Sequence, residues 1–256
     1  KIVDINHLHN FSNVQNKFEM IKGLSCTVAS DRSGFTIVPT EDIELLRKIQ
    51  SISEANKCDY KARSGVEFTP AEVYFLTPVK KSQNLKNWIF KAKEFKNSVY
   101  KTRYQTDFEL EKKYIRPVIK GPNIKPFKIV ESDNYCIFPY DDGSRLSVPM
   151  KDLVDKNDLL LRYFIDNKQL ILNQSARSRD ISMGDDFYSL SKVGNYTFTQ
   201  YKVVFRDNTT MCASVLHEVE TPWGERIMPV CAKHAPYISM DKENNPISED
   251  EAYYIS

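Results

Sequence analysis

YSLSKVGNYTFTQYKVVFRDNTTMCASVL, residues 188–216, couples a turn to a hairpin. Lys192-Val193-Gly194-Asn195 reads as the turn, and Tyr196, Phe198, Tyr201 and Lys202 lead into a β-rich run. Val203, Val204 and Phe205 are β-branched or aromatic, Arg206-Asp207-Asn208-Thr209 has turn composition, and Met211 to Leu216 reads as the return strand. Cations and aromatic rings around a turn before a rigid hairpin suit contact with a polyanion that carries flat rings.

Upstream, SARSRDISMGDD (175–186) reads as a polar loop holding Arg177 and Arg179. Before it, Leu160, Tyr163, Phe164, Asn167, Leu170, Ile171 and Gln174 mark one helical face, with Asp158 or Asn157 as its cap. Tyr135 to Tyr140 reads as a strand that stops at the turn Asp141-Asp142-Gly143. YIRPVIKGPNIKPFK (114–128) holds Arg116, Lys120, Lys125 and Lys128 and no acid. Its three prolines and Gly121 exclude a long helix, so a stiff, shaped loop is expected, able to approach a phosphate.

Residues 80–103 carry eight basic side chains against the single acid Glu94. Leu85, Trp88, Ile89 and Ala92 have helical spacing, while Phe95 to Tyr104 also reads as extended; helix and strand both remain open there. YKARSGVEFTPAEVYFL (60–76) reads as a loop with Lys61, Arg63 and Gly65 entering a strand from Val73 to Leu76. Cys26 to Ala29 and Phe35 to Val38 flank Ser30–Gly34 as a hairpin; Thr40 caps a helix to about Ser53, with Ile43, Leu46, Ile49 and Ile52 as its buried face. After Leu216 the charge reverses, with eight acids and three basic residues over 217–256. Ser248 and Glu251 read as a capping box for a helix that the last residues begin, so the chain is expected to be a segment of a longer protein.

The 256 residues carry a net charge of only +2, so any polyanion contact rests on local clusters. Five dispersed cysteines without C-x-x-C fit reduced thiols, and His7-x-His9 fits surface imidazoles better than a metal site. No apolar run reaches membrane length and no signal pattern opens the chain, so a cytoplasmic compartment without membrane contact is expected. The sequence lacks G-x-G, G-x-S-x-G and H-E-x-x-H. Asp107 with Glu111-Lys112-Lys113 is a chance-level match to a nuclease pattern, and Asn245-Pro246 lacks the rest of an Asn-Pro-Pro-aromatic motif. No catalytic or metal residues are assigned.

Four stretches, in order, resemble the specificity region of TaqI-like and type IIG restriction–modification adenine methyltransferases. YKARSGVEFTPAEVYFL resembles an Ala-Arg-x-Gly segment before a strand, and YIRPVIKGPNIKPF a Leu-Arg-Pro-Val-x-x-Gly-x-Asp-Ile-x-x-Tyr stretch, with Asn123 and Phe127 as departures. NYTFTQYKVVFR resembles Tyr-Thr-Phe-x-x-x-Lys-Val-Val-Trp, with Phe205 for Trp, and PISEDEAYYIS an Asp-Glu-Ala-Tyr-Tyr lead into a helix.

The resemblance implies an α+β target recognition domain, strand- and hairpin-rich with a few helices. Residues 1–112 would form an N-terminal lobe and 113–256 the specificity lobe. The function implied is sequence-specific recognition of double-stranded DNA for an adenine-N6 methyltransferase, with or without an endonuclease. Its catalytic domain and S-adenosylmethionine would lie outside this chain, and no cofactor is expected within it. Lys61, Lys120, Lys125, Lys128, Arg177, Arg179, Lys192, Tyr196 and Lys202 would line the DNA face. Arg63, Asn123, Arg145 and Arg206 would reach base edges, since arginine pairs with guanine and asparagine with adenine. The alternative is an RNA- or acidic-protein-binding module using the same cations.

Overall fold

The computed structural model describes residues 24–27, 36–55, 58–96, 98–130, 133–156, 158–173, 186–206 and 212–256. The chain divides into two units, Lys1–Asp59 and Tyr60–Ser256. The expected division after residue 112 instead falls inside one sheet of the second unit, where strands on both sides of it are hydrogen-bonded neighbours. Helices and several sheets joined by short hairpins make the fold α+β.

In the first unit, β1 (Leu24–Thr27) and β2 (Thr36–Pro39) pair antiparallel, as the hairpin reading requires. The expected helix is present as α1 (Ile43–Ala55), but Thr40–Asp42 forms a preceding tight 3-10 turn rather than a simple cap. The face expected to be buried is only partly so: Ile43 and Leu46 are half-buried, whereas Ile49 is exposed. The turn at Ser30–Gly34 lies outside the described residues.

The second unit begins with β3 (Tyr60–Arg63), α2 (Ala71–Tyr74) and β4 (Phe75–Lys81). Val73 and Tyr74, read from sequence as strand, form one helical turn after Pro70. Next come β5 (Asn87–Ala92), which settles the helix-or-strand question there, then β6 (Phe108–Glu111) and β7 (Ile115–Ile119). Proline at 117 does not make this segment a loop, because β7 sits between β10 and β15 and pairs with both. A short hairpin, β8 (Ile124–Lys125) and β9 (Lys128–Ile129), precedes β10 (Tyr135–Ile137). Gly143, at φ +81°, supplies the turn expected at 141–143.

The helical region is three short helices, α3 (Met150–Asp155), α4 (Leu159–Asp166) and α5 (Lys168–Leu172). The remaining elements are β11 (Lys202–Phe205), β12 (Ala213–Leu216), β13 (Val219–Glu220), β14 (Arg226–Ile227), β15 (Val230–Cys231), β16 (Tyr237–Asp241) and α6 (Glu249–Ile255).

Two sheets organise this unit. The larger has the order β15-β7-β10-β4-β5-β6 and the smaller β12-β11-β16-β3. The helical stripe read from sequence closes the larger core: Leu160, Tyr163, Phe164 and Ile171 are fully buried and Asn167 nearly so. Phe164 stacks on Tyr188 at 4.5 Å and Phe108 on Tyr163 at 5.1 Å. The buried phenols find backbone acceptors, Tyr163 at Val73 O (2.8 Å), Tyr188 at Val148 O (2.6 Å) and Tyr74 at Tyr188 O (2.9 Å).

Alternation along β11 sorts the smaller sheet. Val203 and Phe205 pack with Val215, Ile247 and Ala252 under α6, while Val204 joins Leu216, Tyr237, Ile119, Ile124 and Cys231 in a core between the sheets. The hairpin expected from residues 188–216 is therefore formed, with Val203 paired to Val215 and also to Ile238 of β16.

The cap of α4 differs from expectation. Asp158 holds the cap position but its carboxylate accepts from Tyr114 Oη (2.5 Å) and Lys113 Nζ (3.0 Å). The orphan amides of Leu159 and Leu160 instead donate to the Glu111 carboxylate at 2.5 and 3.1 Å. Glu111 is thereby fixed as a structural acceptor at the end of β6. Asn157 lies outside the described residues. Replacing Glu111 with alanine should lower unfolding stability by about 1–3 kcal/mol, because one buried and one partly buried donor lose their acceptor. Exposed Asp107→Ala should leave the thermal midpoint unchanged, and paired melts of the two variants check this.

Candidate functional site

Residues 231–235 run between two loops that the sequence marked. Val66 N donates to Cys231 O (2.8 Å) and Ala232 N donates to Ile119 O (2.9 Å). A Cβ at Gly65 would lie 2.1 Å from Ala232 O, and one at Gly121 would lie 2.8 Å from His234 O. Only glycine lets these backbones approach so closely. The close packing joins the segments Arg63–Glu67 and Lys120–Asn123 across one shared backbone.

A third loop enters through Glu67. Its N–H donates to Ser191 O (3.1 Å), and Lys192 follows at φ +64°. The Glu67 carboxylate lies between two ammonium groups, 3.4 Å from Lys192 Nζ and hydrogen-bonded by Lys233 Nζ. The bond from Lys233, helped by the charge of Lys192 and opposed by burial, holds the carboxyl below its ordinary range. Two partly exposed cations thus share one acid and the trio keeps a positive charge.

Beside it, the Arg63 guanidinium lies 5.1 Å from the centroid of the Tyr196 ring, and its Nε is buried with no hydrogen-bond partner among the described residues. That ring also covers Gly194, where a Cβ would approach it to 2.5 Å. Burial pushes the Tyr196 phenol up, against the pull of Arg63.

The other expected contacts divide by surroundings. Lys125 and Lys128 are exposed on either side of the β8–β9 turn, and Arg145 is exposed just beyond Gly143. Lys61 Nζ donates to Asn244 Oδ1 (3.1 Å) and Arg206 is half-buried at the turn end of the β11–β12 hairpin. Lys120 sits with Nζ 3.8 Å above the Phe75 ring, where burial and then the charge of Lys93 lower its pKa to about 8.

Asn123 departs from the base-reading role expected of it. Its Oδ1 accepts from Lys120 N (3.0 Å) and its Nδ2 donates to Val130 O (3.1 Å), so the amide holds its own loop closed. Lys202 departs further. It is 1 % exposed, on the Val204 face of β11, and Nζ donates to Thr199 O (2.6 Å). A side chain buried there meets no phosphate; its long stem fills the core between the sheets. Arg177, Arg179 and the turn at 207–209 lie outside the described residues.

Glu67 and Lys233 were missed. Neither belongs to a basic run, and 166 positions separate them. Their meeting depends on the parallel pairing of β15 with β7 and the Val66–Ala232 bridge, which local pattern does not encode. A wide cleft of about 1040 Å³ lies elsewhere, against Lys86, Glu109, Lys112, Lys156 and Glu225, where charges of both signs alternate. Glu111, required by the nuclease pattern, is the helix cap described above. Among the described residues, no three His, Cys, Asp or Glu side chains group to hold a metal. Nor is any helix there long and apolar enough to cross a membrane. Comparison with models of known protein families and with curated proteins gave no match.

Burial lowers the pKa of Lys202 to about 8. A lysine with a lower pKa folded than unfolded weakens the fold below pH 8, and that penalty fades as pH rises toward the unfolded value. Relative to Lys202→Met, wild-type stability should therefore rise by on the order of 2–3 kcal/mol between pH 8 and pH 10. Chemical denaturation at several pH values reads the difference; a flat one would refute the assignment.

Proposed function

We propose that this chain is a recognition module for double-stranded DNA. It would serve a restriction–modification adenine-N6 methyltransferase, fused to an endonuclease or not, whose catalytic domain and S-adenosylmethionine lie in other residues. The carrying observation is convergence. The four stretches with family resemblance meet in one unit: Gly65 and Gly121 pack on 231–235, Tyr196 stacks with Arg63, β11 pairs with β16, and α6 packs against β11 and β12.

The charges around that junction support a phosphate-facing role. Lys125, Lys128, Lys192 and Lys233 are exposed, and Glu67 is the acid bonded to the last two. Lysines of this kind position a protein on the duplex, while the stacked Arg63 is held ready for a base edge. Lys120 and Lys61 belong to the loop walls.

Binding of the whole chain to a random duplex pool, followed by selection, tests the reading. One sequence should be enriched, and affinity should fall steeply with salt, each phosphate-bound lysine adding about 0.9 to the logarithmic slope. Lys192→Ala with Lys233→Ala should reduce that slope by about 2 and leave the preferred sequence unchanged. Glu67→Gln should strengthen binding, because it removes the acid between those two lysines. Equal affinity for all duplexes, or no salt slope, would defeat the proposal. Preference for single-stranded RNA would favour the alternative module.

A further inference from the structure

Residues 123–130, NIKPFKIV, form a finger whose shape is fixed from inside. Lys125 pairs with Lys128, so Pro126 and Phe127 alone make its tip. Phe127 has φ +54°, at a corner following proline where glycine or asparagine is the usual occupant. The bonds that hold this corner are all backbone-directed. The Asn123 amide ties Lys120 N to Val130 O, Val130 N donates to Asn123 O (2.9 Å), and Phe127 N donates to Ala213 O (3.1 Å). The phenyl ring takes no part, being 82 % exposed. A glycine would satisfy the same backbone without strain, so the ring has no role inside the fold.

Its surroundings indicate the ligand. Lys125 and Lys128 flank the ring, both exposed, and neither forms an ion pair among the described residues. The nearby Glu218 is 3.9 Å from Arg226. A flat apolar ring on a rigid tip whose paired strand ends carry two exposed cations matches a flat base with its neighbouring phosphates.

We infer that Phe127 stacks on a DNA base, with Lys125 and Lys128 on the adjoining phosphates. This rests on the DNA reading above. The base is either part of an opened duplex step or unpaired.

The test uses the full chain with a fluorescent random-sequence duplex pool and a single-stranded DNA of the same length. Phe127→Ala should bind about 5- to 150-fold more weakly with an unchanged salt slope. Phe127→Leu should fall equally, because an apolar side chain without a π-face does not stack. Phe127→Trp should keep affinity, and its added fluorescence should be quenched by DNA. Lys125→Ala with Lys128→Ala should lower the salt slope by about 2. Thermal melts of the Phe127 variants should match wild type, as the ring is exposed. A loss on the duplex pool assigns an opened step; a loss confined to the single strand assigns an unpaired base. Wild-type binding by Phe127→Ala and Phe127→Leu would overturn the stacking role and leave the DNA reading standing. Failure of the wild type to bind either DNA would overturn both.

Discussion

The backbone at 231–235 lies so close to Gly65 and Gly121 that neither position has room for a Cβ. Much of the second unit depends on that approach. It lets β15 run parallel to β7 at the edge of the larger sheet, and the chain then continues through 235 and 236 into β16 of the smaller one. The core between the sheets, with Ile119, Ile124, Val204, Cys231 and Tyr237, forms where those segments meet. A Cβ at either glycine would separate the layers locally, and the cations they bring together would separate with them.

Charge is handled differently on the two sides of this junction. On the solvent side Glu67 lies between Lys192 and Lys233, so two ammonium groups are fixed near each other at partial exposure. On the inner side Lys202 is sealed in the core with one backbone acceptor for its ammonium, and its position lowers its proton affinity. The same residue type is a surface contact in one place and a filler in the other. Burial decides between them.

Periodicity was informative where one element packs one face. The stripe Leu160, Tyr163, Phe164, Ile171 and the alternation in Val203–Phe205 were both legible, because contacts at 3.6- and 2-residue spacing are made by each element as a whole. Local pattern misled where a partner from afar supplied the missing bond. Pro117 lies in a central strand, Glu111 rather than Asp158 caps α4, and Asn123 closes its own loop. For the site, sequence marked Arg63, Tyr196 and the exposed lysines. It did not mark Glu67 with Lys233, whose pairing spans most of the unit.

From sequence alone came the main hairpin, the helical stripe and the near-neutral charge with its cationic middle. These are sums over short windows, and short windows record propensity and period. Tertiary structure decided which cations are available. It buried Lys202, left Lys125 and Lys128 exposed beside Phe127, and set Lys233 against Glu67. The physical reason is that exposure and pairing belong to the contact between distant segments, and here a shared backbone between two glycines sets that contact.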